Sequence, residues 1–345
     1  MKKTAVHFGA GALGRGLAIP YLLDGGYDVI AVDADRQLIS LLKARAGYGL
    51  AIADRHETRH IPLADALHPE DGALADRLAQ AELITTSVRK ENLHHVAAAL
   101  KHVRPKTVIC CENIEQSGAF FASLLSRAGV DPQGWLLPDC MVDRICSAQW
   151  PASLTIETES YGSVVVDDLP GAAIPPTFET TRDIAARFQE KRILVNTYAD
   201  GVAFLGQARG LAYLYQAAEN PEINGLIAGY MQVTKYFLRV VYDFDAGHLD
   251  AVAQRHRARL GNPAIQRPLA TVARDFLRKM TVGERFIYPL VELMRRGENI
   301  DNALPFLNAL IAGWANQQVD PAAARQQALA AIADDALLAK LGEAL

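Results

Sequence analysis

Three glycines and one aspartate near the start of the chain have the spacing of a dinucleotide site. Gly9, Gly11 and Gly14 follow a short β-prone run, and Asp33 comes nineteen residues after Gly14. The first glycine permits a tight turn, the second lets main-chain N–H groups approach a pyrophosphate, and the third lets a helix pack closely on a strand. Asp33 would accept hydrogen bonds from the adenosine ribose and repel a 2′-phosphate. The pattern therefore predicts a site for NAD rather than NADP, and we interpret Asp35 as a solvated turn residue.

The elements around these glycines occur in the order that a βαβ nucleotide-binding unit requires. A β-prone run at 4–8 precedes them, an apolar helical stretch follows at 17–23, and a second strand pattern spans 27–32. The N-terminus of the helix would supply partial positive charge to the phosphates. We therefore also expect Ala12 and Leu13, in the same turn, to contact the cofactor.

Alternating strand and helix patterns continue to about residue 137. β-prone runs at 83–88, 107–111 and 135–137 are separated by helical patterns at 69–80, 93–102 and 117–128. Such alternation predicts a doubly wound parallel sheet of the Rossmann type. Ligands bind these sheets at the carboxyl ends of the strands, so we expect the cofactor to be bordered by Ser87, Val88, Glu112 and Asn113.

The second half of the chain changes from strands to helices. The β-rich segment 153–166 predicts extra strands beside the nucleotide sheet, and a proline-rich loop follows at 170–176. Helical patterns then occur at 212–218, 225–241, 248–260, 268–279, 286–296, 302–315 and 321–341. The predicted fold is α/β, with an NAD-binding Rossmann domain at 1–190 and a mostly α-helical substrate domain at 191–345.

Composition and charge limit the class of protein. The 345 residues are 50% hydrophobic, and 35 Lys and Arg against 39 Asp and Glu give a formal net charge of −4. This balance favours neither nucleic acid nor anionic membranes as partners, and no apolar run reaches the ~18 residues of a membrane span. Cys110, Cys111, Cys140 and Cys146 lack metal or disulfide spacing and predict reduced thiols of a cytoplasmic protein. The charged stretch at 55–60 predicts a solvated segment rather than a metal site.

Collinear motifs extend this picture to about residue 315. They are the glycine turn at 8–16, Cys-Glu-Asn at 111–113, Val-Asp-Arg-Ile at 142–145, Lys-Arg-Ile-Leu-Val-Asn-Thr at 191–197, Gly-Asn-Pro-Ala-Ile at 261–265 and the segment 277–285. Together they resemble the polyol-specific long-chain dehydrogenases, the mannitol dehydrogenase family. The resemblance implies a metal-independent NAD enzyme that interconverts a polyol or sugar phosphate, such as mannitol 1-phosphate, with its ketose. A monomer or homodimer is expected.

The resemblance also implies catalytic roles for three residues. Lys191 corresponds to the general base of the family, and Asn196 and Asn113 correspond to asparagines that hydrogen-bond the developing oxyanion. Oxidation of a secondary alcohol requires removal of the hydroxyl proton, which an ammonium cannot accept. Burial or a nearby cation must therefore lower the pKa of this lysine. From the residues alone, a Lys-Arg pair before an apolar strand is more typical of a solvated edge.

Substrate contacts are implied in the same way. Asp143 corresponds to a family aspartate that contacts polyol hydroxyls, and Arg144 follows it, although an ion pair within a loop is an equal alternative. Lys279 resembles a family lysine that reaches the substrate. Arg274 and Arg278 could offer charge to a phosphate, whereas arginines on a helix are more often solvated.

One position departs from the family pattern. Where the family commonly has Asn-Thr-Gly-His, this chain has Asn-Thr-Tyr-Ala at 196–199. Tyr198 or Asp200 could occupy the space of the missing histidine. Ala199 leaves open a non-catalytic NAD-sensing protein. Related branches of the family imply a second alternative, a reductase of sugar acids such as ketouronates.

Overall fold

The computed structural model describes residues 3–343, which divide into two units between Ala185 and Ala186. The domain boundary predicted at 190/191 stays a prediction. The first unit contains the strands β1 (Lys3–Phe8), β2 (Tyr27–Val32), β3 (Gly47–Ile52), β4 (Glu57–Pro62), β5 (Asp65–Leu67), β6 (Leu83–Thr86), β7 (Thr107–Cys110), β8 (Cys140–Asp143), β9 (Cys146–Ala148), β10 (Ile156–Thr158), β11 (Ser163–Asp167) and β12 (Glu179–Thr181). Its helices are α1 (Ile19–Asp24), α2 (Arg36–Ala44), α3 (Leu74–Gln80), α4 (Leu93–Ala99) and α5 (Ser117–Arg127).

A five-stranded parallel sheet of order β5-β2-β1-β6-β7 forms the centre of this unit and confirms the predicted Rossmann-type fold. Its strands are almost continuously buried, as parallel strands covered on both faces must be. Phe8 of β1 lies opposite both Val32 of β2 and Thr86 of β6. The residues that follow these three strands therefore lie side by side at the carboxyl ends of the strands. The chain order reverses at β1, because β2 and β5 lie on one side of it and β6 and β7 on the other. This is where open α/β sheets bind ligands.

The remaining strands form two small separate sheets, β4-β3-β10-β9 and β12-β11-β8. The expectation of a solvated segment at 55–60 was incomplete, because most of it belongs to β4, an edge strand whose side chains are exposed except at Ile61. Polar residues on both faces of an edge strand hide the alternation that predicts strands. The strand predicted at 135–137 is reduced to a single bridge between Thr107 and Leu136, since Pro138 has no N–H to extend the pairing.

The second unit is helical, as predicted. Its elements are α7 (Thr197–Ala208), α8 (Leu214–Ala218), α9 (Pro221–Tyr242), α10 (Ala246–Leu260), α11 (Leu269–Val272), α12 (Phe276–Lys279), α13 (Tyr288–Arg295), α14 (Leu304–Ala315), α15 (Pro321–Ile332) and α16 (Asp335–Glu343). The single helices predicted at 268–279 and 321–341 are each two, because Asp275 and Ala333 adopt left-handed φ values of 58° and 50°. No helix within residues 3–343 has the length and apolarity to cross a bilayer.

Two π-helical turns interrupt the helices, at Gly14–Ala18 and Lys191–Asn196. The second joins α6 (Ile184–Glu190) to α7 and replaces the apolar strand expected after Lys191. Its three apolar residues, 193–195, are buried in the helical core, so packing overrides their local preference for a strand. The Thr197 hydroxyl donates to the Arg192 carbonyl oxygen at 2.9 Å where the α-helical register resumes. Turns of this kind occur frequently at functional sites.

Candidate functional site

A cavity of about 700 Å³ lies at the carboxyl edge of the parallel sheet. It is lined by five of the predicted cofactor residues, which are Gly9, Gly11, Asp33, Ser87 and Val88. The loop after β5 adds residues 68–70, and α4 adds apolar and histidine side chains at 95, 96 and 99. A volume of this size is typical of small-molecule and cofactor sites.

The glycines of the turn fit a dinucleotide. Gly9 has a φ of +102°, and a Cβ there would lie 2.5 Å from the Ser87 carbonyl oxygen. A Cβ on Gly14 would lie 1.9 Å from the Gly9 carbonyl oxygen. The Cβ position of Gly11 has no neighbour within 4 Å, so it opens onto the space in which a pyrophosphate would approach the main chain. The first amides of the following helix lack intrahelical acceptors and are suitable donors to phosphate.

Asp33 both fixes this turn and faces the cavity. One carboxylate oxygen accepts the Ala10 amide at 2.7 Å, and the other accepts the Asp35 amide at 3.0 Å. Each oxygen has a second lone pair, so the carboxylate retains acceptor capacity for ribose hydroxyls. Asp35 is more than a solvated turn residue, because it accepts the Leu38 amide at 3.0 Å as the N-cap of α2 and the Trp150 indole N–H at 2.7 Å. The hydrogen bond from Leu38 lowers the pKa of the Asp35 carboxyl.

A buried polar chain beneath the turn was missed from the sequence. His7 Nδ1 lies 2.7 Å from Thr85 Oγ1, and its Nε2 lies 2.9 Å from Ser87 Oγ. Because the Ser87 hydroxyl donates to the Gly9 carbonyl oxygen at 2.9 Å, we assign the proton of the ring to Nε2, and Nδ1 accepts from Thr85. Burial lowers the pKa of His7 to about 4, which keeps the ring neutral. A histidine within an otherwise apolar strand was the available signal.

Arg15 supports the turn from the side of the helix. It is 1% exposed, and its Nε and Nη1 donate to the carbonyl oxygens of Ala10 and Leu154, each at 2.6 Å. Ala12 and Leu13, the other predicted contacts of this turn, are half-buried at the start of the helix. The turn is therefore held by hydrogen bonds before any ligand is bound, as a preorganised site requires.

Glu112 lies behind the rim of the cavity. Its carboxylate accepts the Thr86 hydroxyl at 2.6 Å and the Val88 amide at 2.8 Å, and burial raises its pKa. Glu112 thus positions the segment after β6, whose residues do line the cavity. Asn113 is exposed in the loop after β7.

Asp143 and Arg144 lie at the end of β8. Asp143 is half-buried and pairs in register with Ser163 of β11. The Arg144 guanidinium donates to the Gly16 carbonyl oxygen at 2.9 Å and to the Glu159 carbonyl oxygen at 2.7 and 3.0 Å. The Arg144 guanidinium is thus held by main-chain carbonyl oxygens of two segments that are distant in sequence.

In the second unit, the predicted residues Lys191 and Asn196 are the first and last residues of a π-helical turn. Both are half-buried. A π turn bonds residues five apart, so Lys191 and Asn196 share one face of the helix. Asp200 follows Asn196 by four residues and continues that face along α7.

Asp200 is the centre of a buried ion cluster on this face. Its carboxylate accepts Lys279 Nζ at 3.0 Å and Arg285 Nη1 at 2.9 Å, and Asp200 and Lys279 are each 6% exposed. Lys279 Nζ also lies 5.3 Å from the centre of the Phe204 ring. Desolvation raises the pKa of the Asp200 carboxyl, although both cations act in the opposite direction. Lys279 was predicted from the sequence, whereas Arg285 was missed.

A second carboxylate, Glu284, brings further arginines to the cluster. It lies 2.6 Å from Arg278, 3.9 Å from Arg192 and 3.7 Å from Arg285 Nε. With the exposed Asp275, 3.9 Å from Arg278, three carboxylates face four cations, so the cluster has a net positive charge. The predicted Arg274 is exposed just before α12. Within residues 3–343, no three His, Cys, Asp or Glu side chains form a group that could hold a metal ion.

The position of the missing histidine is filled by an apolar side chain. Ala199 packs against the helical core. The Tyr198 hydroxyl donates to Asn224 Oδ1 at 3.1 Å, and the Asp200 carboxylate binds the two cations described above. Both residues considered as replacements for the histidine therefore have other partners.

Comparison with known proteins identifies the family. The chain matches the mannitol dehydrogenase Rossmann domain over residues 3–179 and the mannitol dehydrogenase C-terminal domain over residues 183–341. A mannitol-1-phosphate 5-dehydrogenase of Brevibacillus brevis is 28% identical over 316 residues, covering 86% of this chain and 82% of the relative. A mannitol-1-phosphate 5-dehydrogenase of Exiguobacterium sibiricum is 29% identical over 311 residues, covering 85% of this chain and 81% of the relative.

Solved structures confirm the fold. A D-sorbitol dehydrogenase in substrate-free form has a TM-score of 0.75 at 18% identity, covering 91% of this chain and 81% of that one. The mannitol 2-dehydrogenase of Pseudomonas fluorescens, in a ternary complex with NAD and D-mannitol, has a TM-score of 0.65 at 20% identity, covering 100% and 87%. Because the two family models together match almost the whole chain, the chain belongs to the mannitol dehydrogenase family.

Proposed function

We propose that this protein is an NAD-dependent dehydrogenase that interconverts a phosphorylated polyol and the corresponding ketose phosphate. The observation that carries the proposal is the cavity in which Gly9, Gly11 and Asp33 meet at the ends of parallel strands. When bound, NAD supplies the nicotinamide that accepts or returns a hydride. The relatives named mannitol-1-phosphate 5-dehydrogenases make mannitol 1-phosphate the first substrate to test.

Lys191 is the general base of the proposed reaction. As hydride leaves the carbinol carbon, the hydroxyl proton must pass to an unprotonated amine. Lys191 is half-buried and shares one face of the π turn with Asn196, which supports placing both side chains at the reacting carbinol. Asn196, five residues along the π turn, would donate a hydrogen bond to the developing oxyanion, and Asn113 keeps the same predicted role.

The ion cluster on α7 supports an anionic substrate. A neutral polyol has no charge to match the excess of cations, whereas a phosphate can accept charge-assisted hydrogen bonds from lysine and bidentate ones from arginine. We assign this role to Lys279 and Arg285, with Arg274 as a further contact. Asp143 is proposed to accept hydrogen bonds from substrate hydroxyls.

Lys191→Ala tests the proposed base. Turnover should fall by at least about 100-fold, while NADH binding measured by fluorescence titration persists. Lys340→Ala is the matched control, since Lys340 is an exposed lysine paired with Asp301 at 2.9 Å. Equal turnover in the two variants would show that Lys191 is not the base. Partial rescue of Lys191→Ala by added primary amines would support the assignment.

A substrate panel separates this function from its alternatives. Hexitol phosphates, pentitol phosphates, free polyols and uronates are compared by NADH absorbance, and the hexitol phosphates should have the highest kcat/KM. Preference for a ketouronate would favour the sugar-acid reductase, whose carboxylate suits the same cations. Tight NADH binding without turnover on any substrate would favour the NAD-sensing protein, for which Ala199 in place of histidine is the supporting feature.

The proposed mechanism requires no metal ion, so turnover should survive EDTA. We also propose that the protein acts in the cytoplasm, as a monomer or homodimer. Four free cysteines, three of them buried, support a reducing compartment.

A further inference from the structure

An ion pair stands at the edge of the nucleotide cavity. Glu70 lines the cavity after β5, and its carboxylate accepts a hydrogen bond from the Arg36 guanidinium at the start of α2. The two side chains are 74% and 64% exposed. The Glu70 main chain is also held, because its amide donates to His68 Nδ1 at 3.1 Å. Arg36 is therefore directed to the cavity rim by a carboxylate of the lining.

The position of Arg36 in the fold gives this pair a chemical meaning. In folds of this type, an acid at the end of the second strand accepts the ribose hydroxyls of NAD, and an arginine nearby accommodates the 2′-phosphate of NADP. This chain has both groups within four residues, Asp33 and Arg36. The guanidinium that could bind a 2′-phosphate is instead bound to Glu70.

We propose that Glu70 is a specificity-determining residue that excludes NADP. Glu70 places a second carboxylate in the cavity lining in addition to Asp33, and both repel the 2′-phosphate. Glu70 also pairs with Arg36, the arginine that follows Asp33 at the start of α2. The inference rests on the proposed NAD-dependent function and adds a residue to it.

Glu70 can be tested without loosening the glycine turn. The two Asp33 carboxylate oxygens accept the amides of Ala10, in the glycine turn, and of Asp35. Substitution of Asp33 would therefore remove these hydrogen bonds as well as a charge. Glu70→Gln removes one charge and keeps the shape of the side chain. The substitution weakens the repulsion of the 2′-phosphate and releases Arg36. Each effect should lower the Kd of NADPH about threefold at a solvated site.

The experiment compares the Kd of NADPH with the Kd of NADH by fluorescence titration. In Glu70→Gln, the ratio of the two constants should fall about tenfold from the parent value, and the change should shrink as salt is added. Glu82→Gln is the matched control. Glu82 is also exposed and paired, 2.7 Å from Lys3, but it precedes β6 at the opposite edge of the sheet. A ratio that falls equally in both variants, or in neither, would overturn the proposal.

Arg36 is tested in the Glu70→Gln background. Adding Arg36→Gln should raise the Kd of NADPH about threefold from its value in Glu70→Gln. If the whole gain persists, Arg36 does not receive the 2′-phosphate and that half of the proposal is wrong. A parent protein that binds no NADH would contradict the proposed function itself, whereas NADH binding with an unchanged ratio in Glu70→Gln would contradict this inference only.

Discussion

Acidification should weaken the first unit through His7. Burial lowers the pKa of His7 from 6.5 to about 4 in the folded chain, so between these values the unfolded chain binds a proton that the folded chain refuses. His7 therefore costs no free energy of unfolding above pH 6.5, and the free energy of unfolding falls as the pH drops from 6.5 through the folded-state pKa of about 4. From pH 7 to pH 5, the two pKa values correspond to a loss of about 2 kcal/mol in the free energy of unfolding.

Urea unfolding at pH 7 and pH 5 measures this loss. In a Trp314→Phe background, the remaining tryptophans, Trp135 and Trp150, both report on the first unit. His7→Gln does not titrate in this range, so its loss between the two pH values should be smaller than that of the parent by about 2 kcal/mol. His102→Gln, at an exposed position, should behave like the parent.

An equal loss of stability in His7→Gln and the parent would refute the reasoning. If His7→Gln does not fold, because the Thr85 hydroxyl has lost its acceptor, the His7 ring of the parent can be titrated by NMR. A ring that stays neutral at pH 5 supports the argument. A ring that gains its proton near pH 6.5 contradicts it.

Two further variants separate binding from folding and test the ion cluster. Gly11→Ala should keep or slightly raise the melting temperature, because the added Cβ meets no atom within 4 Å. The same variant should weaken NADH binding by at least about tenfold. Gly72→Ala, at an exposed glycine with similarly open surroundings, is the control, and equal NADH affinity in the two variants would contradict the prediction. Asp200→Asn should lower the free energy of unfolding by about 3 kcal/mol, since Lys279 remains buried without its carboxylate. Combined with Lys279→Met in urea unfolding, it should show a coupling above about 1 kcal/mol; additive effects would count against the pair.

The part of the nucleotide site that could be predicted is local in sequence. Gly9, Gly11 and Gly14 lie in one strand–turn–helix, and Asp33 ends the next strand of the same βαβ unit. Steric limits on the turn and the parallel pairing of neighbouring strands place these residues together once the strands form. Ser87 and Val88 could be added because the carboxyl ends of parallel strands meet at one edge.

Residues far apart in sequence could not be predicted to meet. His7 reaches Thr85 and Ser87 across 78 and 80 positions, and Asp200 binds Lys279 and Arg285 across 79 and 85. Such pairs leave no periodic pattern, because the separation of the two partners in sequence depends on the chain between them and not on the geometry of either segment. The π turn that begins at Lys191 was also missed, since its apolar run has the composition of a strand and only burial among helices decides otherwise.

The class of the fold, the glycine turn and the order of strands and helices follow from the amino-acid sequence alone, because they depend on sterics and on hydrophobic periodicity within short windows. Which charges are neutralised and which remain becomes clear only in the folded chain. Arg144 is satisfied by carbonyl oxygens, Arg36 by Glu70, and the cluster on α7 keeps an excess of cations. The difference is physical: the state of a charged side chain depends on its solvation and its partners, and both exist only after distant segments have packed together.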